Sequence, residues 1–272
     1  MRTFFSVLTC GLILLSDGAA AESWTLPRGV AVKDNAPRTY RFTVEYSTSD
    51  TQGHVLQRQI ISGDYTRGLP GGDVIWRNVS QIDSKGGGEP SGSAKKREFM
   101  EGLRFHKDLT NSSGSMAPDF FRGFPPTAVF ERNLVWDTEM IELFGQTQFE
   151  HLKLNQPYHF LSNQTVNMPG VGAFNNRDVQ LIWMGRSARN GHECALIGYS
   201  AYFNPLEIEN EAMSLKGRSH YWGQIWVALV GKQIEYATLY EDVLAEMKPA
   251  GQDTPQVVSV FRSGRFEPLS AK

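Results

Sequence analysis

The chain has 272 residues, of which 40% are apolar, and a formal net charge of −2. That much apolar material excludes a globally disordered chain. A charge this close to zero leaves no electrostatic footprint for nucleic acid or for an anionic membrane surface.

The first stretch is a targeting segment by its pattern. Met1-Arg2, the apolar run Phe4 to Leu15 and Ala19-Ala20-Ala21 match the charged, apolar and cleavage regions of a signal peptide, residues 1–21. The apolar run is too short to span a bilayer comfortably, and no later segment is long enough. Cys10 lies inside that run, too early for lipoprotein processing. The mature chain is then residues 22–272, read as a single β-rich domain; two β domains split near residue 115 are the alternative. Removal of Cys10 leaves only Cys194, so no intramolecular disulfide can form. Export without disulfides points to a bacterial envelope protein, periplasmic or extracellular, whose core needs no covalent staple.

Residues 22–38 look extended. Tyr40, Phe42, Val44 and Tyr46 then alternate with Arg41, Thr43, Glu45 and Ser47, the pattern of a half-buried strand. Val55 to Tyr65 reads as its hairpin partner across Ser49–Gly53. Leu69–Asp73 is a turn into a third strand carrying Val74, Trp76 and Val79. Residues 84–97 are rich in glycine, serine and charge and read as a flexible surface loop. A short strand is expected from Phe99 to Phe105.

Residues 117–152 read as a partly helical insert. Its best helix runs from Leu134 to Phe144, with Asp137 and Glu139 near the start, where the helix dipole favours negative charge. Gly145 is the expected terminator. Strands return at Val179–Met184 and Cys194–Phe203. Pro205 is expected to check the latter, and Leu206–Leu215 to continue the sheet.

Residues Ser219–Met247 form the longest segment rich in aromatic and β-branched residues and read as the central hairpin, turning at Gly231-Lys232. On its first arm Tyr221, Gly223, Ile225 and Val227 share one side, and Trp222, Gln224, Trp226 and Ala228 the other. Both sides are largely apolar, which predicts cover on both faces. On the second arm Ala237, Leu239, Val243, Ala245 and Met247 keep a period of two, interrupted by Glu241. Tyr240, Val243, Leu244 and Met247 also fit a helix, but the β-formers favour a strand. Gln256–Phe261 is a final strand. This order predicts a mainly β (α+β) chain, a curved antiparallel sheet or open barrel with a short helical insert packed against it.

Catalytic and cofactor motifs are missing. His192-x-Cys194 lacks the further ligands a metal needs. His151 and His159 are separated by Pro157. Ser93-Ala94-Lys95-Lys96 matches S-x-x-K but sits in the glycine-rich loop, and no G-x-S-x-G, H-E-x-x-H or P-loop occurs. No cofactor is expected.

Aromatic residues carry the functional reading. Trp76, Trp183, Tyr199, Trp222, Trp226 and Tyr236 fall on predicted strands and are the candidate ligand-binding set. Facing one concave side, they would line an apolar cavity with polar tips; the plainer reading is that they fill the core. The architecture is similar to the curved-sheet carriers that shuttle lipids through bacterial envelopes. Those carriers place a helix before the first strand, where residues 22–38 look extended. The expected function is binding or carrying a lipid or apolar small molecule. An accessory subunit of an envelope complex would instead show aromatic patches outside. A hydrolase with a dispersed site would bring groups such as Asp137, His151 and His192 together.

Overall fold

Alternation of large apolar with polar side chains recurs along most of the chain and builds one sheet. A computed structural model describes residues 25–107, 117, 119–168, 172–209 and 213–269; the expected signal segment lies outside these. Five strands precede the helix: β1 (Arg38–Ser49), β2 (Val55–Arg67), β3 (Asp73–Lys85), β4 (Lys95–Lys96) and β5 (Arg104–His106). Helix α1 (Val129–Glu142) follows. Six further strands among the described residues complete the sheet: β6 (Pro157–Met168), β7 (Gly172–Arg189), β8 (His192–Glu209), β9 (Met213–Ala228), β10 (Ile234–Pro249) and β11 (Gln256–Pro268).

The order across the sheet is β4-β3-β2-β1-β11-β10-β9-β8-β7-β6, with β5 on β3. All pairings between these strands are antiparallel. The sheet is curved and open, with α1 on its inner face. One non-local pairing, β1 with β11 from Tyr40↔Pro268 to Ser49↔Ser259, joins the N-terminal strands to the rest. The strand expected over Gln256–Phe261 therefore runs on to Pro268, because its second half supplies this pairing.

The inner face holds the core. In β1 the buried side chains are Tyr40, Phe42, Val44 and Tyr46, as the alternation predicts. Trp76 and Val79 both point inward although three apart, because Asn78 adopts φ 54° and shifts the pleat by one residue. Phe203 (φ 56°) does the same in β8. Asn204 fills that kink, donating to the Ala201 and Ser219 carbonyls and accepting the Arg177 amide. The strand thus passes through Pro205 rather than stopping there.

Several local expectations change. The helix starts at Val129, not Leu134, so Asp137 and Glu139 sit in its middle and are not dipole partners at its start. Gly145 does not terminate it. It lies inside a widened turn, Leu143–Thr147, where an added Cβ would come within 3.1 Å of Ile225 and 3.2 Å of Val227. Its role is close approach of the helix end to the sheet. Residues 84–97 are not all loop, since β3 reaches Lys85 and Lys95–Lys96 pairs back onto it. Phe99 falls in a short 3₁₀ turn, Glu98–Met100, and only Arg104–His106 is strand. β6 was not legible: it begins at Pro157 and forms the sheet edge, where proline is tolerated. The second arm of the central hairpin is a strand, Ile234–Pro249. Its first arm is not covered equally on both faces. Tyr221, Ile225 and Val227 are buried inside, whereas Trp222 and Trp226 are only half-buried and Gln224 is exposed.

Candidate functional site

Helix α1 packs two different faces. Leu134, Val135, Thr138, Ile141 and Glu142 are buried against one half of the inner face, in the main core. Val129, Phe130, Asn133, Trp136, Asp137, Met140, Leu143 and Phe144 form a second stripe at intervals of three and four residues, as one helix face does. This stripe closes onto the sheet in part, through Phe130 on Tyr46, Asp137 on Arg262 and Phe144 on Tyr199. It roofs a cavity of about 410 Å³.

Leu206, Ile208, Leu215 and Val243 line the sheet side and belong to a second apolar cluster, apart from the main core. Tyr46 and Thr48 of β1 form one wall, and Val166 of β6 with Phe174 of β7 the other. The lining is mostly apolar. Phe130, Trp136 and Met140 stay half-buried although they border the cavity, so apolar surface there is left open.

One charged group of side chains lies at the cavity wall. Arg262, Asp137 and Glu241 are the charged members of the lining. Arg262 and Glu241 are cross-strand partners on β11 and β10, and Arg262 Nε pairs with Glu241 Oε2. Arg262 Nη1 donates to Asp137 Oδ2 at 2.6 Å, tying helix to sheet. Ser219 donates its hydroxyl to Glu241 Oε1. Tyr221 donates to Asn176 Oδ1 at 2.8 Å on the same wall. Asp137 is 1% exposed, and its Oδ1 has no hydrogen-bond partner among the described residues. Burial pushes the Asp137 carboxyl up to about 6; Arg262 pulls against this and Glu241 adds to it. Burial likewise raises the Tyr46 hydroxyl to about 12.

A second buried charge cluster belongs to the packed face. Glu142 Oε1 accepts from Arg67 Nη1 at 2.7 Å, and its Oε2 from Tyr65 at 3.1 Å and Lys107 Nζ at 2.6 Å. Arg67 also meets Asp34, and Lys107 meets Glu139. Burial alone would raise the Glu142 carboxyl, but Arg67 and Lys107 hold it below its ordinary value. This cluster lies outside the cavity lining.

The six sequence-chosen aromatics divide between the faces. Trp76 and Trp183 are fully buried in the main core, and Trp183 Nε1 donates to the Gly185 carbonyl at 2.7 Å. Tyr199 is also in the core; it lies over Gly223, where any Cβ would collide with its ring, and donates to the Thr238 carbonyl at 2.8 Å. Trp222, Trp226 and Tyr236 sit on the outer face. Trp222 stacks on Tyr240, Trp226 meets Tyr236 edge-on, and Arg189 lies 4.1 Å from the Tyr236 ring centroid. None of the six lines the cavity. Trp222 and Tyr199 border a separate hollow of about 510 Å³, with Tyr240, Gln180 and Ser200.

Sequence reasoning missed the cavity residues, although two signals were present. Glu241 interrupts an otherwise apolar face of β10, and Arg262 does the same on β11. Paired charges on the apolar faces of two strands call for each other. The other singled-out groups stay apart. His151 stacks on Tyr158, His159 pairs with Asp178 at 2.8 Å, and His192 lies 3.9 Å from Glu235. Cys194 is buried and burial raises its thiol to about 11. No group of three His, Cys, Asp or Glu side chains suited to a metal occurs among the described residues. Among them, too, no helix is long and apolar enough to cross a membrane.

No protein-family model and no curated protein matches the chain. Among solved structures it is similar to one described as lipid–protein interactions in lipovitellin, with 13% identity and a TM-score of 0.40. The match covers 86% of this chain and 25% of that one, so the chain spans a quarter of the length of the protein it resembles.

Proposed function

We propose that the protein is an exported envelope protein that binds or carries a lipid or apolar small molecule in the cavity beneath α1. The supporting observation is the cavity itself. It is about 410 Å³, within the range of small-molecule sites, and lined mainly by apolar side chains with a few convergent polar groups. Recognition would rest on burial and shape, with no bond broken. The location is the periplasm or the extracellular space, after cleavage near Ala21.

Native mass spectrometry of the protein purified from its own envelope without detergent tests this. Additional mass that extracts as a lipid or other apolar molecule is the expected result. A bare chain that also fails to take up any apolar probe would overturn it.

A second reading is favoured by the outer face. Trp222, Tyr240 and Phe261 form a ladder of rings there, and Leu244, Val257 and Phe261 are each more than 40% exposed. Such a strip suits an accessory subunit held by a partner protein of the envelope. The same spectrum distinguishes the two, since a stable assembly with another chain would replace the free carrier.

A further inference from the structure

Asp137 is a carboxyl group withdrawn from water and only half engaged. Its Oδ2 is taken by Arg262, while Oδ1 is buried without a partner among the described residues, in a side chain that lines the cavity. An unpaired acceptor in such a place is costly unless something supplies a donor. The cavity's only cation among the lining residues, Arg262, is already shared between Asp137 and Glu241. One guanidinium facing two carboxylates leaves the cluster negative when both are ionised. An incoming anion would find no free cation and would be repelled.

We propose that the cavity selects an apolar chain that ends in a hydrogen-bond donor, an amine or a hydroxyl, and rejects one that ends in a carboxylate. The inference rests on the reading of the cavity as a ligand site and specifies the ligand's polar end. The donor meets Asp137 Oδ1, and the apolar body lies against Phe130, Met140, Leu206, Ile208 and Val243. A charged amine gains from the negative cluster; a hydroxyl satisfies the acceptor without that gain. The other titratable groups facing this point are Glu241 of β10, Arg262 of β11, Tyr46 of β1, Tyr221 of β9 and, from the core side, Tyr199 of β8. Glu241 is engaged by Ser219 and Arg262, and Tyr221 is committed to Asn176; the Tyr46 hydroxyl is also without a partner among the described residues, but Asp137 carries the open carboxylate acceptor.

The test is calorimetric titration of the whole protein with decylamine, decanol and decanoate at pH 7.5. Decylamine is expected to bind roughly ten-fold or more tighter than decanoate, the scale of one hydrogen bond to a charged group. Asp137→Asn should remove the advantage of the amine over the alcohol. Wild-type protein at pH 5 makes the same comparison without a substitution. Protonation of Asp137 then weakens decylamine relative to decanol. Decanoate binding as tightly as decylamine would overturn the donor rule and leave the cavity as a ligand site. Failure of all three probes to bind would overturn the ligand-site reading as well.

Discussion

Glu142 and Asp137 are both buried carboxyls on one helix, five residues apart, and they live in opposite circumstances. Glu142 has a hydroxyl, a guanidinium and an ammonium around it, and its neighbours fill the main core. Asp137 has one guanidinium, shared with a second carboxyl, and an empty volume beside it. In the first, both carboxylate oxygens of Glu142 have partners. The second leaves one carboxylate oxygen without a partner among the described residues. Buried charges are retained where they fix structure or where they recognise a ligand; Glu142 is of the first kind, and Asp137 is proposed to be of the second.

Breaking the complete cluster should have the largest effect. Glu142→Gln strands Arg67 and Lys107, which are 3% and 7% exposed at their side chains. Loss of one partner from a buried pair costs about 3–5 kcal/mol. Denaturant unfolding followed by circular dichroism reads it. Equal stability of variant and wild type would mean that the two cations are satisfied by Asp34 and Glu139 alone.

The opposite outcome is expected for Asp137→Asn in the ligand-free protein. The carboxyl is raised in the folded state, so the folded protein holds its proton more tightly than the unfolded chain. Its ionised form therefore costs stability above pH 6, and that cost fades as pH falls toward the ordinary aspartate value. Asp137→Asn should stabilise the protein at pH 7.5 by no more than about 3 kcal/mol, with the gain shrinking by pH 5. Glu142 has the reverse sign, since its lowered value gives stability that is lost at more acid pH. Melting curves of wild type, Asp137→Asn and Glu142→Gln across this range check both. An advantage that grows on acidification would contradict the assignment.

Filling the empty volume sharpens the contrast between the two halves of the inner face. Val243→Phe adds bulk where Val243 borders the cavity. Cavity filling typically adds about 0.5–2 kcal/mol, and uptake of apolar probes should fall sharply. Destabilisation with unchanged uptake would place the ligand elsewhere.

The halves were also unequally legible. Strand alternation announced β1, and aromatic and β-branched density announced the central hairpin, because a half-buried pleat writes its period directly into the residues. The far half of β11 was not announced, since its partner β1 lies at the other end of the sequence, and β6 was not, since it opens on a proline acceptable only at an edge. The candidate site was legible only as an anomaly. Glu241 stood out on an apolar face, but Arg262 and Asp137, which explain it, come from other elements. Counting aromatics drew attention to Trp76 and Trp183, which are core, and to Trp222, Trp226 and Tyr236, which lie outside. Aromatic residues report burial wherever it occurs. A charge that breaks an apolar period reports something more specific.

The smallest expected effect separates the outer face from the cavity. Trp222 stacks on Tyr240 with ring centroids 5.9 Å apart, on the side of the sheet away from α1. Cross-strand aromatic pairs are worth about 0.2–1 kcal/mol, so Trp222→Ala should lower stability by no more than that. Probe uptake by the cavity should stay unchanged, because Trp222 is absent from its lining and the intervening sheet is hydrogen-bonded throughout this region. If Trp222→Ala abolished uptake while leaving the melting curve intact, the ligand would sit in the outer hollow beside Tyr240 and the cavity would be a packing defect. If it instead released a partner chain from the native assembly, the ring ladder would be an interface, and the two faces of one sheet would serve two different kinds of recognition.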